Sequence, residues 1–134
     1  MQTSFTDKQL LDKDNKSSES ILRKCVHCGM CNATCPTFCV NGEELEGPRG
    51  RIYLIKDMLE NKKPANKKVV KHIDSCLSCY SCMTTCPSGV NYMHLIDHGR
   101  NYVEETYKRP FFDRLFRNIL SFVLPRPKVF LTLA

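Results

Sequence analysis

Two copies of one cysteine pattern constrain this chain more than any other feature of its sequence. The first copy, CVHCGMCNATCP, runs from Cys25 to Pro36, and the second, CLSCYSCMTTCP, runs from Cys76 to Pro87. Both read C-x2-C-x2-C-x3-C-P, and their offset is 76 − 25 = 51 residues. The two copies hold all but one of the nine cysteines in 134 residues, so the fold has to bring eight thiols to defined places.

Disulfides, zinc and iron–sulfur clusters are the three uses that such a cysteine count allows. Nine is odd, and the N-terminal MQTSFTDKQLLDKDNKSS has no apolar segment of a secretory signal, so we expect a cytoplasmic protein with reduced thiols. Structural zinc uses two pairs of ligands, whereas each copy here adds a third cysteine at +6 and a fourth at +10 before a proline. The pattern therefore predicts two [4Fe–4S] clusters, with a structural zinc module or an iron–sulfur sensor as alternatives.

The spacing within each copy predicts how the ligands are shared. Runs of this kind ligate cubane clusters in two-cluster ferredoxins, where the fourth cysteine binds the other cluster. The proline after it directs the chain away from the loop. We expect cluster 1 to be held by Cys25, Cys28, Cys31 and Cys86, and cluster 2 by Cys76, Cys79, Cys82 and Cys35. This crossing predicts a domain that folds only when both clusters are loaded.

The remaining cysteine and the histidines give weaker signals. Cys39 follows Cys35 by about one helical turn and is predicted to be a small buried side chain beside a cluster, with a spare ligand or redox-active thiol as the alternative. His27 lies in the first loop and is expected to be solvated, or else to tune the cluster through polarity. His72, His94 and His98 have no ligand-spaced partners and are assigned no role.

Helical patterns connect and follow the two cysteine runs. Pro48 suits the first turn of a helix whose apolar residues recur at helical spacing, and Asn66 suits the cap of a helix over residues 67–75. Ser17 or Ser18 is predicted to cap a turn over residues 19–24, and an apolar stripe follows from Tyr92 to residue 107. No segment alternates like a strand. We therefore predict an all-α fold, an α-helical ferredoxin domain, rather than a compact β-containing ferredoxin.

The C-terminal part predicts one more amphipathic helix, between Pro110 and Pro125. It is too short to span a bilayer, and it could lie on a membrane, dock to a partner helix, or pack on this domain or on further sequence. The apolar end, residues 129–134, is typical of an element cut short. The expected organisation is a flexible segment over 1–16, the two-cluster domain over 17–108, and a truncated amphipathic tail over 109–134.

The net charge does not indicate nucleic-acid binding. The chain carries 20 Lys+Arg against 14 Asp+Glu, or +6, and two clusters with their thiolates contribute about −4. A lysine run is predicted to be a solvated helix end or a docking patch for an acidic redox partner: Lys62, Lys63, Lys67, Lys68 and Lys71. The sequence also lacks a dinucleotide fingerprint and a catalytic constellation, so we expect no substrate chemistry on this chain.

Three segments carry a resemblance to a known family. They are CVHCGMCNATCPT, ELEGPRGRIYLIKDMLE and HIDSCLSCYSCMTTCPSGVNYMHLIDHGR, of which GPRGRIYLIK and TCPSGVNY are the more specific parts. Over residues 20–128 the chain resembles the N-terminal region of the iron–sulfur subunit of bacterial glycolate oxidase (glycolate dehydrogenase). The cysteine runs alone are shared with subunits of succinate dehydrogenase, anaerobic glycerol-3-phosphate dehydrogenase and heterodisulfide reductase. An electron-transfer subunit of another flavoprotein complex, of the glycerol-3-phosphate dehydrogenase or heterodisulfide reductase type, is therefore the alternative.

The resemblance implies an electron-transfer subunit. In that family the domain accepts electrons from FAD-containing dehydrogenase subunits that oxidise a 2-hydroxy acid, and passes them toward a membrane acceptor such as quinone. It also implies a location in the cytoplasm or at the inner face of the cell membrane. Members of the family continue with two further cysteine-rich repeats, and this sequence contains neither.

Overall fold

Helices form all the regular structure in the part of the chain that is described. The computed structural model describes residues 1–127 and residue 130, and these contain no strand. The α-helices are α1 (Asp7–Leu10), α2 (Lys13–Lys24), α3 (Pro36–Asn41), α4 (Pro48–Asn61), α5 (Lys67–Asp74), α6 (Ser81–Thr84), α7 (Tyr92–Thr106) and α8 (Phe111–Val123). Two 3₁₀ turns, Met30–Thr34 and Glu44–Glu46, lie before α3 and α4. The predicted all-α class is confirmed, while the apolar end lies outside the described residues except for Phe130.

Helices α4 and α5 begin where the sequence predicts. Pro48 occupies the first turn of α4, where its missing N–H leaves no helical bond unmade. Asn66 caps α5, because its side-chain oxygen accepts a hydrogen bond from the Val69 N–H at 3.0 Å. The two caps therefore fix the residues at which these helices begin.

Helix α2 is longer than the sequence predicts. Asp12, rather than Ser17 or Ser18, caps it by accepting a hydrogen bond from the Asn15 N–H. Ser18 lies inside the helix and is buried, and its hydroxyl hydrogen-bonds His98 Nδ1 at 2.7 Å. The serine that the sequence suggests as a cap therefore joins α2 to α7.

The N-terminal segment contains a short helix that contacts α4, while the flexibility expected over residues 1–16 stays a prediction. The Thr6 N–H donates to Gln9 Oε1 at 2.8 Å and closes the first turn of α1. Gln9 is buried, and its Nε2 donates to the carbonyl oxygens of Leu59 and Glu60 at 2.8 and 3.0 Å. The last carbonyl groups of a helix have no partner within that helix. Gln9 donates to two of these carbonyl oxygens at the end of α4 and so attaches α1 to α4.

The apolar core lies between α2, α4, α5 and α7. Its fully buried members include Leu22, Ile55, Ile73, Leu95, Ile96 and Val103. Helices α4 and α7 approach closely at Gly99, where a Cβ would lie 2.8 Å from Ile55 Cγ1. Cys25 and Cys82 belong to the same apolar cluster, so this core forms one wall of both cysteine loops.

Helix α8 lies outside the core, and none of its residues is buried. Arg109 and Arg117 join it to Asp74, at the end of α5, through ion pairs of 2.7 and 2.9 Å. Its exposed apolar side chains are Phe111, Phe112, Leu115, Phe116, Ile119, Leu120 and Phe122. Packing of this face on the domain itself, one of the predicted options, is therefore wrong. Among the described residues, no helix combines the length and the apolar character needed to cross a membrane.

Candidate iron–sulfur centres

The two cysteine loops share an unusual backbone conformation. Positive φ angles occur at His27 (+59°) and Gly29 (+82°) in the first loop, and at Ser78 (+51°) and Tyr80 (+57°) in the second. Both pairs are offset by 51 residues, so the sequence repeat is also a structural repeat. A non-glycine residue pays about 1–3 kcal/mol for this conformation. Left-handed residues gather backbone N–H groups into concavities that suit anionic sulfur, which is a reason to hold the strain at such a site.

The loops meet at equivalent positions. Thr85 Oγ1 donates a hydrogen bond to Thr34 Oγ1 at 3.2 Å, and these threonines are again 51 residues apart. Thr34 also donates to the Ser81 carbonyl oxygen at 3.4 Å. Each threonine directly precedes the last cysteine of its copy. The contact therefore turns Cys35 toward the second loop and Cys86 toward the first.

Two recesses divide the thiols into sets. The first, of about 440 Å³, is lined by Cys25, Cys28, Cys31, Cys82 and Cys86. The second, of about 290 Å³, is lined by Cys35, Cys76, Cys79 and Cys82. Each recess combines three thiols of one loop with the last cysteine of the other copy, and Cys82 lies between them. This arrangement supports the crossed ligand sets, whose assignment to individual clusters stays a prediction.

Burial and mutual repulsion act on the ionisation of these thiols. Burial raises the pKa of Cys31, and the other thiolates of the first recess raise it further. Burial, together with thiolates of both recesses, raises the pKa of Cys82 to about 12. Hydrogen bonds from the backbone N–H and hydroxyl of Ser81 lower the pKa of Cys79. A bound metal centre would offset this effect at Cys31 and Cys82, because its charge removes the protons of coordinating thiols.

The recesses fit iron–sulfur clusters better than zinc. Four thiolates on zinc lie about 2.3 Å from the metal in a closed tetrahedron and leave no recess between them. Here, by contrast, each recess takes thiols from both loops, and Cys82 borders both recesses. Sulfur is the only donor atom that the predicted ligands offer, as cubane clusters require.

His27 adds a second indication of fit, and it corrects a prediction. The sequence predicts a solvated side chain, but its Nδ1 is buried, lines the first recess and has no hydrogen-bond partner among the described residues. Burial, with the charge of Arg49, lowers the pKa of His27, so the ring is neutral at neutral pH. A cluster brings inorganic sulfides as additional polar atoms, and an orphaned ring nitrogen beside its recess is suited to them.

Arg49 closes the outer side of the first recess. Its guanidinium forms an ion pair with Glu44 at 2.5 Å, and this hydrogen bond is the main reason that the pKa of Glu44 is lowered. The Arg49 Nη1 atom lies 2.5 Å from the position that a Cβ at Gly29 would occupy. Glycine suits this position because of its left-handed φ, and a side chain there would also displace the end of the Arg49 side chain.

A buried charged network borders the second recess. Arg51 is 1% exposed; it forms an ion pair with Glu46 at 2.9 Å, and its Nη1 contacts Cys35 Sγ at 3.8 Å. His72, assigned no role from the sequence, is buried and bonds Glu46 through Nδ1 at 2.8 Å. Burial alone would raise the pKa of Glu46, but hydrogen bonds from Ser75 and His72 and the Arg51 charge outweigh it and lower the pKa.

Tyr92 is a further site residue that the sequence pattern assigns only to an apolar stripe. It is buried at the start of α7 and lines both recesses. Its hydroxyl lies 3.6 Å from Cys76 Sγ, and burial, with the charge of that thiolate, raises the pKa of Tyr92. The phenol therefore stays neutral and can donate a hydrogen bond to the thiolate.

Cys39 differs from its prediction. It is exposed, lines neither recess, and donates a weak hydrogen bond from Sγ to the Ala33 carbonyl oxygen at 3.5 Å. The reason is that α3 has no buried residue, so the turn after Cys35 carries Cys39 to the outer surface. Burial beside a cluster is therefore wrong for this residue.

Eight thiols around two recesses in an all-helical frame are typical of a domain that binds two cubane clusters. The family model described as a 4Fe-4S dicluster domain matches residues 21–90, and the chain belongs to this family. The predicted cofactors, two [4Fe–4S] clusters, agree with that membership.

The relatives extend the resemblance seen in the sequence. The chain is 52% identical over 130 residues to the glycolate oxidase iron–sulfur subunit of Escherichia coli K12, covering 97% of this chain and 32% of that protein. It is 32% identical over 117 residues to the probable glycolate oxidase iron–sulfur subunit of Bacillus subtilis 168, covering 84% and 26%. A mitochondrial succinate dehydrogenase iron–sulfur subunit of Candida glabrata is 27% identical over 84 residues, covering 58% and 33%.

The chain spans about a third of the length of these curated relatives, or less. No solved structure matches it.

Proposed function

We propose that this chain is an electron-transfer module, which receives electrons from FAD-containing subunits that oxidise a 2-hydroxy acid such as glycolate and passes them to an acceptor at the membrane. The observation that carries the proposal is the pair of recesses, each lined by three thiols of one loop and the last cysteine of the other. The bound clusters would supply two neighbouring one-electron centres.

The chain's own residues hold these centres and limit their contact with water. Cys25, Cys35 and Cys82 are buried, whereas Cys28 and Cys79, the second cysteine of each copy, are exposed. Each recess thus has one ligand that faces solvent. A relay needs an edge for its donor and an edge for its acceptor, and these two equivalent positions supply them.

The nature of the donor rests on the relatives. Two of them are named as glycolate oxidase iron–sulfur subunits, one of these as probable, and the more similar one aligns over 97% of this chain. We infer from this a flavin-containing partner and a 2-hydroxy acid as the electron source.

The first test is the content of iron and acid-labile sulfide per chain in protein prepared without oxygen, with an EPR spectrum after dithionite reduction. We expect about eight iron and eight sulfide and two interacting signals. About four iron would leave one recess without a cluster and overturn the two-centre relay. Zinc without sulfide would overturn electron transfer altogether.

We also propose that α8 places the module on an anionic lipid surface. Its polar side is tied to the domain through Arg109, Arg117 and Asp74, so its exposed apolar side faces away from the domain. Residues 108–127 carry five Lys and Arg and one Asp; Arg109 and Arg117 pair with Asp74, so the remaining positive charge comes from Lys108, Arg114 and Arg126. An amphipathic helix with aromatic side chains and positive charge is typical of a segment that lies in the membrane interface.

Vesicle flotation tests this location. We expect the cluster-loaded chain to float with phosphatidylglycerol vesicles and to sediment with phosphatidylcholine vesicles. The variants Phe112→Asp and Phe116→Asp should lose flotation. Leu11→Asp and Val40→Asp are matched controls, because these side chains are also exposed and lie outside α8. Equal flotation of all four variants, or none by the parent chain, would overturn the lipid surface as the occupant.

A further inference from the structure

We propose that Arg51 is a positioning residue for the second iron–sulfur centre. Arg51 holds the thiolate of Cys35, which comes from the first copy, by a buried N–H···S bond, and it raises the reduction potential of the cluster bound there. The inference deepens the proposed function and rests on it. It concerns the Gly47-Pro48-Arg49-Gly50-Arg51 segment, which the cysteine pattern does not explain.

The guanidinium of Arg51 is fixed by its surroundings. Its Nε donates to the His72 carbonyl oxygen at 2.6 Å, and its Nη2 contacts Glu46, Thr37 and Ser75 at 2.9 to 3.0 Å. Among the described residues, Nη1 has Cys35 Sγ as its one partner, at 3.8 Å. Because the other two nitrogens are held by oxygen, an N–H of Nη1 remains for the thiol.

The backbone around Gly50 brings this network together. A Cβ at Gly50 would overlap the Glu44 carbonyl oxygen and would lie 2.7 Å from Leu45 Cα. The 3₁₀ turn Glu44–Glu46 therefore rests directly on the first turn of α4. This close approach places Glu46 beside Arg51. The carboxylate compensates the positive charge of Arg51 while the guanidinium stays in contact with Cys35.

A fixed N–H donor beside a cluster thiolate raises the reduction potential of that cluster. One-electron reduction adds negative charge to a cluster and its thiolates, and hydrogen bonds to sulfur and buried positive charge stabilise the reduced state. The effect is strong because Arg51 is 1% exposed and lies in a medium of low dielectric constant. Glu46 cancels much of the long-range charge, which leaves the N–H···S bond as the local contribution.

Arg49 supplies a matched control. It lies two residues earlier on the same helix and lines the first recess, but its side chain is 33% exposed and its Nε is paired with Glu44. Its hydrogen bonds in the described structure go to oxygen and none goes to sulfur. The two arginines therefore differ in burial and in contact with a thiol, while their charge and helix are the same.

The experiment compares Arg51→Gln, Arg51→Lys and Arg49→Gln in the cluster-loaded chain. Iron and sulfide are counted first, and both midpoint potentials are then measured by EPR-monitored redox titration. In Arg51→Gln we expect one potential to fall, with a shift of about tenfold in the ratio of reduced to oxidised cluster, or about 59 mV for a one-electron couple. The other potential should not change. Arg51→Lys should recover part of the potential lost in Arg51→Gln. Arg49→Gln should leave the potential of that cluster at its parent value.

A second pair keeps the proposal testable if Arg51→Gln fails to fold. Glu46→Gln is compared with the double variant Arg51→Gln/Glu46→Gln, which leaves no unpaired buried carboxylate. The lower potential should again appear in the double variant. Eight iron with unchanged potentials would overturn the role of Arg51 and leave the proposed function intact. Loss of a cluster from every Arg51 variant would reduce that role to retention of the cluster and overturn the effect on the potential. Fewer than eight iron in the parent chain would overturn both.

Discussion

At Gly50 the structure leaves no space for a side chain. The atoms nearest to the position that a Cβ would occupy are backbone atoms of Glu44 and Leu45, which cannot rotate away. We expect Gly50→Ala to lower the free energy of unfolding by about 1–3 kcal/mol and to reduce the iron content, since the turn that carries Glu46 has to shift. Urea unfolding and iron analysis measure the two effects.

Gly42→Ala is the matched control for that change. Gly42 has a φ of +65° and no atom within 4 Å of its Cβ position, so alanine there meets backbone strain alone. The iron content of Gly42→Ala should equal that of the parent chain. A Gly50→Ala protein with full iron and an unchanged urea midpoint would contradict the close approach at this residue.

Cys39 and Cys35 lie one helical turn apart and should behave differently. Cys39 is exposed and lines neither recess, whereas Cys35 is buried and lines the second. We expect Cys39→Ser to retain about eight iron per chain and Cys35→Ser to retain about four or fewer. Iron analysis and the visible absorbance of the clusters check this. Loss of iron from Cys39→Ser would show that the spare thiol has a role after all.

Some residues of the candidate site could be predicted from the sequence and others could not. The eight predicted ligands could be named because each thiol position is fixed by local spacing. Arg51 could not, since it lies two residues after the partly exposed Arg49 and its partner His72 is 21 residues away. The left-handed φ of Tyr80 was equally hidden, because the residue type gives no sign of a strain that the loop imposes.

Helices α2 and α7 meet at a histidine whose ionisation should affect stability. Burial lowers the pKa of His98 below its ordinary value of 6.5, and the charge of His94 adds to this, while Asp14, Asp12 and Glu105 act in the opposite direction. Below about pH 6.5 the unfolded chain therefore binds more protons than the folded chain does. Stability is retained above that pH and is lost as the pH falls toward the folded pKa.

Urea unfolding of the cluster-loaded chain, followed by far-UV circular dichroism, tests this pH dependence. The free energy of unfolding should decrease between about pH 7.5 and about pH 5.5. In His98→Gln, which keeps a polar partner for Ser18, the decrease should be smaller. The same slope in both proteins would exclude His98 as its source.

The helices were predicted correctly where the apolar periodicity and a capping residue indicated the same start. Pro48 and Asn66 mark the starts of α4 and α5, and the stripe from Tyr92 forms the buried side of α7. For α2, Asp12 could not be recognised as the cap because the apolar pattern begins only at Ile21. The pattern in α8 showed that one side of this helix is apolar, but periodicity does not state what covers such a side.

At the scale of the whole molecule, the crossed thiols link parts of the chain that the sequence separates. Cys86 follows the second loop yet lines the recess of the first, and Cys35 does the reverse. The two halves also share Tyr92 and Pro48 as walls of both recesses. Loading one recess therefore orders residues that the other recess needs, so the two sites should be lost together rather than independently when the protein unfolds.

The variants Cys86→Ser and Cys79→Ser separate crossed from uncrossed ligation. Cys86→Ser should remove the signal of the cluster held by Cys25, Cys28 and Cys31, although it lies in the other copy. Cys79→Ser should remove the signal of the second cluster. EPR of the reduced proteins distinguishes the two cases, because the signal that remains should differ between them. If both variants lost the same signal and kept the other, each copy would supply all four of its own ligands, and the two halves of the domain would be independent sites.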